Sequence, residues 1–327
     1  MDIKKRFKNQ IEEIDASLKD FLSNGEPATL YSAVRHLPLA GGKRLRPILA
    51  IFSAEAVGGE GKKTIPFGLS LELVHNFTLV HDDIMDNARL RRGLETVHIK
   101  FGEPTAIVAG DTLFAKAFEV LHHLETNPLK FKEINKLLVM HVEEVCEGQQ
   151  LDMDFEGREN VDEEEYLTMI EKKTASLFSC ATEGGAIIGG GNKKEIRALS
   201  EYGRYFGLAF QIWDDYLDLS GNEKEFGKII GNDIREGKKT LMIIHAFQNA
   251  DDEQRDKISS VLGKKDASQN EVNQAINTLE EVGSMDYAKN KAYEYAEKAR
   301  RELTVIEENE AKKILAELAD YSISRTR

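Results

Sequence analysis

Three observations predict an all-α protein, read as a single large helical bundle over residues 1–327. All six prolines fall at positions 27, 38, 47, 66, 104 and 128, so the stretch from Leu129 to Arg327 lacks the residue that helix interiors exclude. Ala, Leu, Glu and Lys abound, and alternating apolar–polar strand patterns are hard to find. Helix starts are legible too: Asp162 with Glu165 and Ser268 with Glu271 have capping-box spacing ahead of amphipathic runs.

Taken in order, the spacing predicts helices over about 2–23, 27–37, 44–57, 64–87, 104–125, 129–155, 162–190 and 193–220, then four or five shorter ones from about 239. Near the C-terminus Val272, Ile276, Leu279, Ala288, Ala292, Tyr295 and Ala299 keep a helical period. Asn249–Asp256 and Gly263–Asn270 read as exposed connections. No Pro/Ser-rich linker or internal repeat divides the chain, and 327 residues of 41% hydrophobic content can bury about 75% of their unfolded surface.

Charge and composition exclude several functions. With 57 acidic against 44 basic residues, the net charge of −13 opposes binding to nucleic acid or anionic lipid. The least charged stretch, Thr174–Gly191, holds Glu183 and five glycines, which suits a buried, close-packing helix rather than a bilayer span. Cys146 and Cys180 form no CxxC pair, and the charged N-terminus lacks the apolar core of a secretory signal, so a reducing, cytoplasmic setting is expected.

Two segments repeat one chemistry, Val80-His81-Asp82-Asp83-Ile84-Met85-Asp86 and Ile212-Trp213-Asp214-Asp215-Tyr216-Leu217-Asp218, each carrying DDxxD. Residues four apart on a helix stand about 6 Å apart along its axis and about 40° around it, so Asp82/Asp86 and Asp214/Asp218 form two carboxylate stripes. A lone stripe reads equally as a solvated helix face; two, both with apolar flanks, favour a shared cation that relieves the repulsion. The hard oxygens of these carboxylates suit Mg²⁺, which shares its remaining positions with water and phosphate. Neither segment has the ligand spacing or central glycine of a calcium loop.

Basic residues supply the complementary half. Gly41-Gly42-Lys43-Arg44-Leu45-Arg46-Pro47 sets three cations at a helix start, fitting either an anion cradle or a charged surface turn. Arg91 and Arg92 follow the first stripe closely enough to meet the same diphosphate. Lys172-Lys173-Thr174, Lys228 and Lys238-Lys239-Thr240 add cations that singly read as surface lysines. None of the five Gly-Lys dipeptides continues into Ser or Thr, and no GxGxxG occurs, so common nucleotide-binding loops are absent.

These residues resemble the trans-isoprenyl diphosphate synthases, the polyprenyl synthetase family. The resemblance runs in order over nearly the whole chain: GGKRLRP at 41–47, LVHDDIMDNARLRRG at 79–93, GDTLFAKAF at 110–118, GQQLD at 148–152, KKTASLF at 172–178, FQIWDDYLDLSG at 210–221 and GKIIGNDIREGKKT at 227–240. It implies an isoprenoid synthase type I fold with a deep central cavity, the two DDxxD motifs opposed at its mouth and three Mg²⁺ ions bridging them to an allylic diphosphate. By that resemblance Asp82, Asp86 and Asp214 ligate metal, supported directly or through water by Asp83, Asp215 and Asp218. Arg91, Lys173, Thr174, Gln211, Lys228 and Lys238 would contact the allylic diphosphate; Lys43, Arg46, His75 and Arg92 would bind isopentenyl diphosphate. Gln211 and His75 each precede an aspartate, Asp218 and Asp82, by seven residues, about 20° away on a helical wheel.

The implied reaction ionises the allylic diphosphate, and the double bond of isopentenyl diphosphate attacks the cation in a water-free cavity. Asp82, Asp86, Arg91, Lys173, Asp214 and Lys228 would carry that step. Cavity depth would set product length through Leu71, Val74, Phe77 and Thr78. Phe77 five residues before Asp82, with Thr78 next to it, resembles the short-chain synthases that make C20 geranylgeranyl diphosphate; C15 and C25 products are the alternatives. On an ideal wheel, however, Phe77 lies about 140° from Asp82 while Leu71 and Thr78 lie beneath it. A class I terpene cyclase would replace the second motif with an Asn/Ser/Glu triad, and a non-catalytic regulatory subunit would have eroded aspartates; neither matches DDYLD. Family resemblance further implies a homodimer.

Overall fold

A computed structural model describes residues 2–158, 160–220 and 230–325. It is all-α. The helices are α1 Ile3–Arg6, α2 Lys8–Phe21, α3 Ala28–His36, α4 Leu45–Ala56, α5 Ile65–Met85, α6 Val97–Phe101, α7 Glu103–Leu121, α8 Pro128–Glu156, α9 Glu163–Ile170, α10 Ser176–Gly189, α11 Lys193–Ser220, α12 Asn232–Glu236, α13 Leu241–Asn249, α14 Asp252–Ser259, α15 Gln269–Glu281, α16 Ser284–Glu302 and α17 Glu310–Ser322. One hairpin, β1 Leu90–Arg91 with β2 Leu94–Glu95, follows α5. Its loop residues Arg92 and Gly93 both take positive φ, 54° and 77°, as a tight twisted turn requires. No helix among the described residues is long and apolar enough to cross a membrane.

The chain divides into two compact units. The first comprises residues 1–139, 180–199 and 305–315. There α5 packs chiefly along α7, and Gly110 lets them meet: a Cβ at that position would stand 2.2 Å from His81 Nε2. The glycine-rich stretch ending at Gly191 behaves as expected. A Cβ on Gly185 would fall 2.4 Å from the Ala50 carbonyl oxygen, and one on Gly189 would fall 2.6 Å from that of Ala54, so α10 lies almost backbone to backbone on α4.

The second unit comprises residues 140–179, 200–304 and 316–327. Its core gathers Tyr166, Ile170, Ile212, Leu241, Val272, Leu279, Ala288 and Ala292, so the predicted apolar period of α15 and α16 is the buried face. Both predicted capping boxes form, at Asp162/Glu165 and Ser268/Glu271.

Two local expectations are corrected. Asn249–Asp256 is not a connection: Asp251 and Gln254 close a third capping box and α14 starts at Asp252. The predicted helix 162–190 is helical but not uniformly α. Over Glu171–Ala175 it widens to a π-turn, in which the Ser176 N–H reaches back to the Glu171 carbonyl.

Candidate active site

In the first unit the Asp86 N–H donates to the Asp82 carbonyl at 2.8 Å, so these two residues stand one helical turn apart at the end of α5, as their spacing predicts. Asp82 is half-buried and Asp86 exposed. Between them Asp83 points inward, 1% exposed, and its Oδ1 accepts from Arg91 Nε at 2.7 Å. Burial pushes its carboxyl pKa up, against the pull of Arg91. Its Oδ2 is buried without a hydrogen-bond donor.

Beside this stripe lies a cluster of guanidinium groups. His75 feels the charges of Arg46, Arg92, Arg91 and Arg44, which together with burial, the larger cause, hold its pKa well below 6.5 and keep the ring neutral. Arg46 is pushed down to about 10, by burial first, with Glu72 opposing and Arg92 adding repulsion. Arg92 is tied to the loop that carries Lys43, donating to the carbonyls of Leu37 and Gly41. A surplus of buried positive charge is a seat for an anion.

One expected member of the cradle turns away. Arg44, with φ of 50°, buries its side chain against Glu72 Oε2 at 2.8 Å, Asp15 Oδ1 at 2.7 Å and the Pro38 carbonyl at 2.7 Å. It braces the loop, which leaves Lys43 and Arg46 as the ligand candidates of this segment. Among the described residues the non-glycine residues with positive φ are Arg44 and Arg92, both of this cluster, and Asn87, which follows Asp86. Strain of this kind collects where a site over-determines the backbone.

In the second unit α11 carries the other stripe. Asp214 is half exposed and pairs with Arg325. Asp215 is buried, and both its oxygens accept hydrogen bonds: Oδ2 from the Tyr166 hydroxyl at 2.7 Å and Oδ1 from Gln211 Nε2 at 2.8 Å. Gln211 Oε1 in turn accepts from Thr174 at 2.8 Å. Gln211 therefore serves the aspartate four residues on, although the wheel also aligns it with Asp218. Burial raises the Asp215 pKa to about 7, helped by Asp214 and opposed by Tyr166 and Gln211. Asp218 Oδ2 accepts the backbone N–H of Asp233 at 3.1 Å and so anchors α12. Asp233 is itself pushed well up by burial and by Asp218.

Lys173 and Thr174 sit in the π-turn, held by glycines on two neighbouring helices. A Cβ on Gly148 would fall 2.2 Å from the Lys173 nitrogen, and one on Gly207 2.4 Å from the Ala175 Cα. Lys173 pairs with Asp152, and Lys172 with Glu147. Lys238 pairs with Glu236 at 3.0 Å and lies 3.8 Å from Asp233. Lys228 lies outside the described residues.

The donors at both stripes are hard carboxylate oxygens, and the donorless buried Oδ2 of Asp83 suits a cation. Among the described residues no three Asp, Glu, His or Cys side chains already converge on one point. A cation held here would complete its shell with water or phosphate oxygens, the preference of Mg²⁺.

The family model for polyprenyl synthetase matches residues 27–279. The chain belongs to that family. The geranylgeranyl diphosphate synthase of Methanosarcina mazei is 46% identical over 325 residues, which cover 99% of this chain and 98% of the relative. The crystal structure of geranylgeranyl pyrophosphate synthetase from Pyrococcus horikoshii Ot3 superposes with a TM-score of 0.94 at 43% identity, covering 99% of this chain and 98% of that one. The geranylgeranyl pyrophosphate synthase of Corynebacterium glutamicum, solved with isoprenyl diphosphate and magnesium, superposes at 0.89 and 27% identity, covering 96% and 98%. Such neighbours have the isoprenoid synthase type I fold.

For this polyprenyl synthetase, sequence reasoning missed Tyr166, Asp233 and Arg325. Asp233 lay inside the motif at 227–240 and could have been found there; Tyr166 and Arg325 carried no local signal, since they reach Asp215 and Asp214 across 49 and 111 residues.

Proposed function

We propose that the protein is a prenyltransferase that condenses isopentenyl diphosphate head-to-tail with allylic diphosphates to an all-trans C20 product, geranylgeranyl diphosphate. The observation that carries this reading is that each unit carries an aspartate stripe on one helix, Asp82/Asp86 at the end of α5 and Asp214/Asp218 on α11, in a chain of the polyprenyl synthetase family. The full-length relatives named for a C20 product support the chain length.

The proposed roles follow the chemistry of the groups. Asp82, Asp86 and Asp214 would hold Mg²⁺, with three ions proposed, while Asp83, Asp215 and Asp218 steady them. Bound Mg²⁺ supplies positive charge against that developing on the leaving diphosphate. Arg91, Lys173, Thr174, Gln211, Lys228 and Lys238 would bind the same diphosphate, and Lys43, Arg46 and Arg92 the diphosphate of isopentenyl diphosphate. His75, kept neutral by burial and by the arginines, can donate a hydrogen bond without adding to their mutual repulsion. Residues 1–327 are proposed to act as one catalytic unit, in the cytoplasm, as a homodimer, which light scattering would test.

The test is direct. Supplied with labelled isopentenyl diphosphate, Mg²⁺ and C5, C10 or C15 primers, the protein should yield mainly C20 product, and Asp82→Ala should abolish turnover while keeping the metal-free melting temperature. A folded wild type that elongates no primer would overturn the reading.

A further inference from the structure

The last described residue of the chain is built into α11. Beyond the end of α17, Arg325 lies with its side chain 3% exposed against the turn that carries Asp214. Its backbone carbonyl accepts the Trp213 indole N–H at 3.0 Å. Its Nη2 donates to the Phe210 carbonyl at 2.7 Å, and the guanidinium carbon sits 3.7 Å from the centroid of the Phe210 ring. That ring itself packs against both Phe178 and Phe206. The remaining prong, Nη1, donates to Asp214 Oδ1 at 2.8 Å.

We propose that Arg325 is a positioning residue for Asp214, holding one carboxylate oxygen so that the other is left in a fixed direction for the cation. The asymmetry of the pair carries the argument. The guanidinium is immobilised by contacts that do not involve Asp214, and its planar fork then fixes where Nη1 points. Asp214 is 51% exposed, so an ion pair there contributes little to stability, yet it removes the rotamer freedom of the carboxylate. Among the described residues Arg325 is the sole hydrogen-bond donor to Asp214. A partner that orients a metal-binding carboxylate in this way typically changes metal affinity by about 10–100-fold when removed.

This inference rests on the metal-binding role given to Asp214 above, and its test separates the two. Binding of Mn²⁺ with inorganic pyrophosphate, read by electron paramagnetic resonance on the full chain, is compared in wild type, Arg325→Met, Arg325→Lys, Asp214→Asn and the double variant Arg325→Met/Asp214→Asn. Arg325→Met should weaken binding by about 10-fold or more, Arg325→Lys by less, and the double variant should bind no worse than Asp214→Asn alone. Melting temperatures without metal report any loss of fold, and should Arg325→Met not fold, the Lys variant decides. Unchanged or tighter binding in the folded Arg325 variants, or losses that multiply in the double variant, overturns the inference. Unchanged binding in Asp214→Asn would instead defeat the role given to Asp214.

Discussion

Arg44 Nη1 stands 2.8 Å from Glu72 Oε2 with both side chains sealed from solvent, at 1% and 4% exposure. Removing one member of such a pair leaves a buried charge unmatched, which typically costs about 3–5 kcal/mol. Arg44→Met should therefore lower unfolding free energy by that amount in urea titration, whereas Arg44→Met with Glu72→Met should recover much of it. Lys43→Ala, in the same loop, should leave stability within about 0.5 kcal/mol and raise KM for isopentenyl diphosphate. Equal destabilisation by Arg44→Met and Lys43→Ala would refute the division of labour.

That division was not legible in the sequence, because three adjacent cations look alike until Glu72, 28 residues on, selects one of them. What short-range chemistry decides could be read: the boxes at Asp162 and Ser268, and the one-turn spacing of Asp82 and Asp86. The box at Asp251 was equally readable and was masked by the polarity around it. The π-turn was not, since nothing local in Glu171–Ala175 announces it; it is seated where Gly148 and Gly207 allow backbone to approach backbone.

Gly148→Ala tests that seat. Its new methyl would meet the Lys173 backbone nitrogen at 2.2 Å, so the π-turn must shift, at a cost of about 1–3 kcal/mol. Gly185→Ala meets the Ala50 carbonyl oxygen at 2.4 Å, outside the π-turn, and should cost as much stability. At a temperature where both variants are folded, kcat should fall in Gly148→Ala and stay near wild type in Gly185→Ala. Equal kcat in the two would mean that the π-turn does not place Lys173 and Thr174.

His75 makes stability depend on pH. Its pKa in the folded protein is held well below the ordinary 6.5, by burial and then by the arginines. Below about pH 6.5 the unfolded chain takes up a proton that the folded chain refuses, so the unfolding free energy falls with falling pH, by up to about 1.4 kcal/mol per unit. Above that pH both states are neutral and the contribution is constant. Chemical denaturation at about pH 7.5 and 5.5 should show a smaller loss in His75→Gln than in wild type. Parallel losses would place the acid sensitivity elsewhere.

Phe77 tests the control of product length. Its ring lies 4.9 Å from that of His81 and 5.3 Å from Phe114 of α7, with Phe118 another 5.2 Å along, so it faces α7 rather than the side beneath Asp82. This accounts for the angle that an ideal wheel makes awkward: the ring heads a short aromatic ladder between α5 and α7. Phe77→Ser would remove the top rung and leave Phe114 and Phe118 to line the space. We expect products longer than C20 at retained turnover, read by chromatography of the dephosphorylated alcohols. Leu71 and Val74 are fully buried, and truncating either to Ala would cost about 1–5 kcal/mol, so a length change there would be entangled with loss of fold. Phe77 is only half-buried, which makes it the cleaner probe, and C20 product from Phe77→Ser would mean that the ladder does not limit the chain.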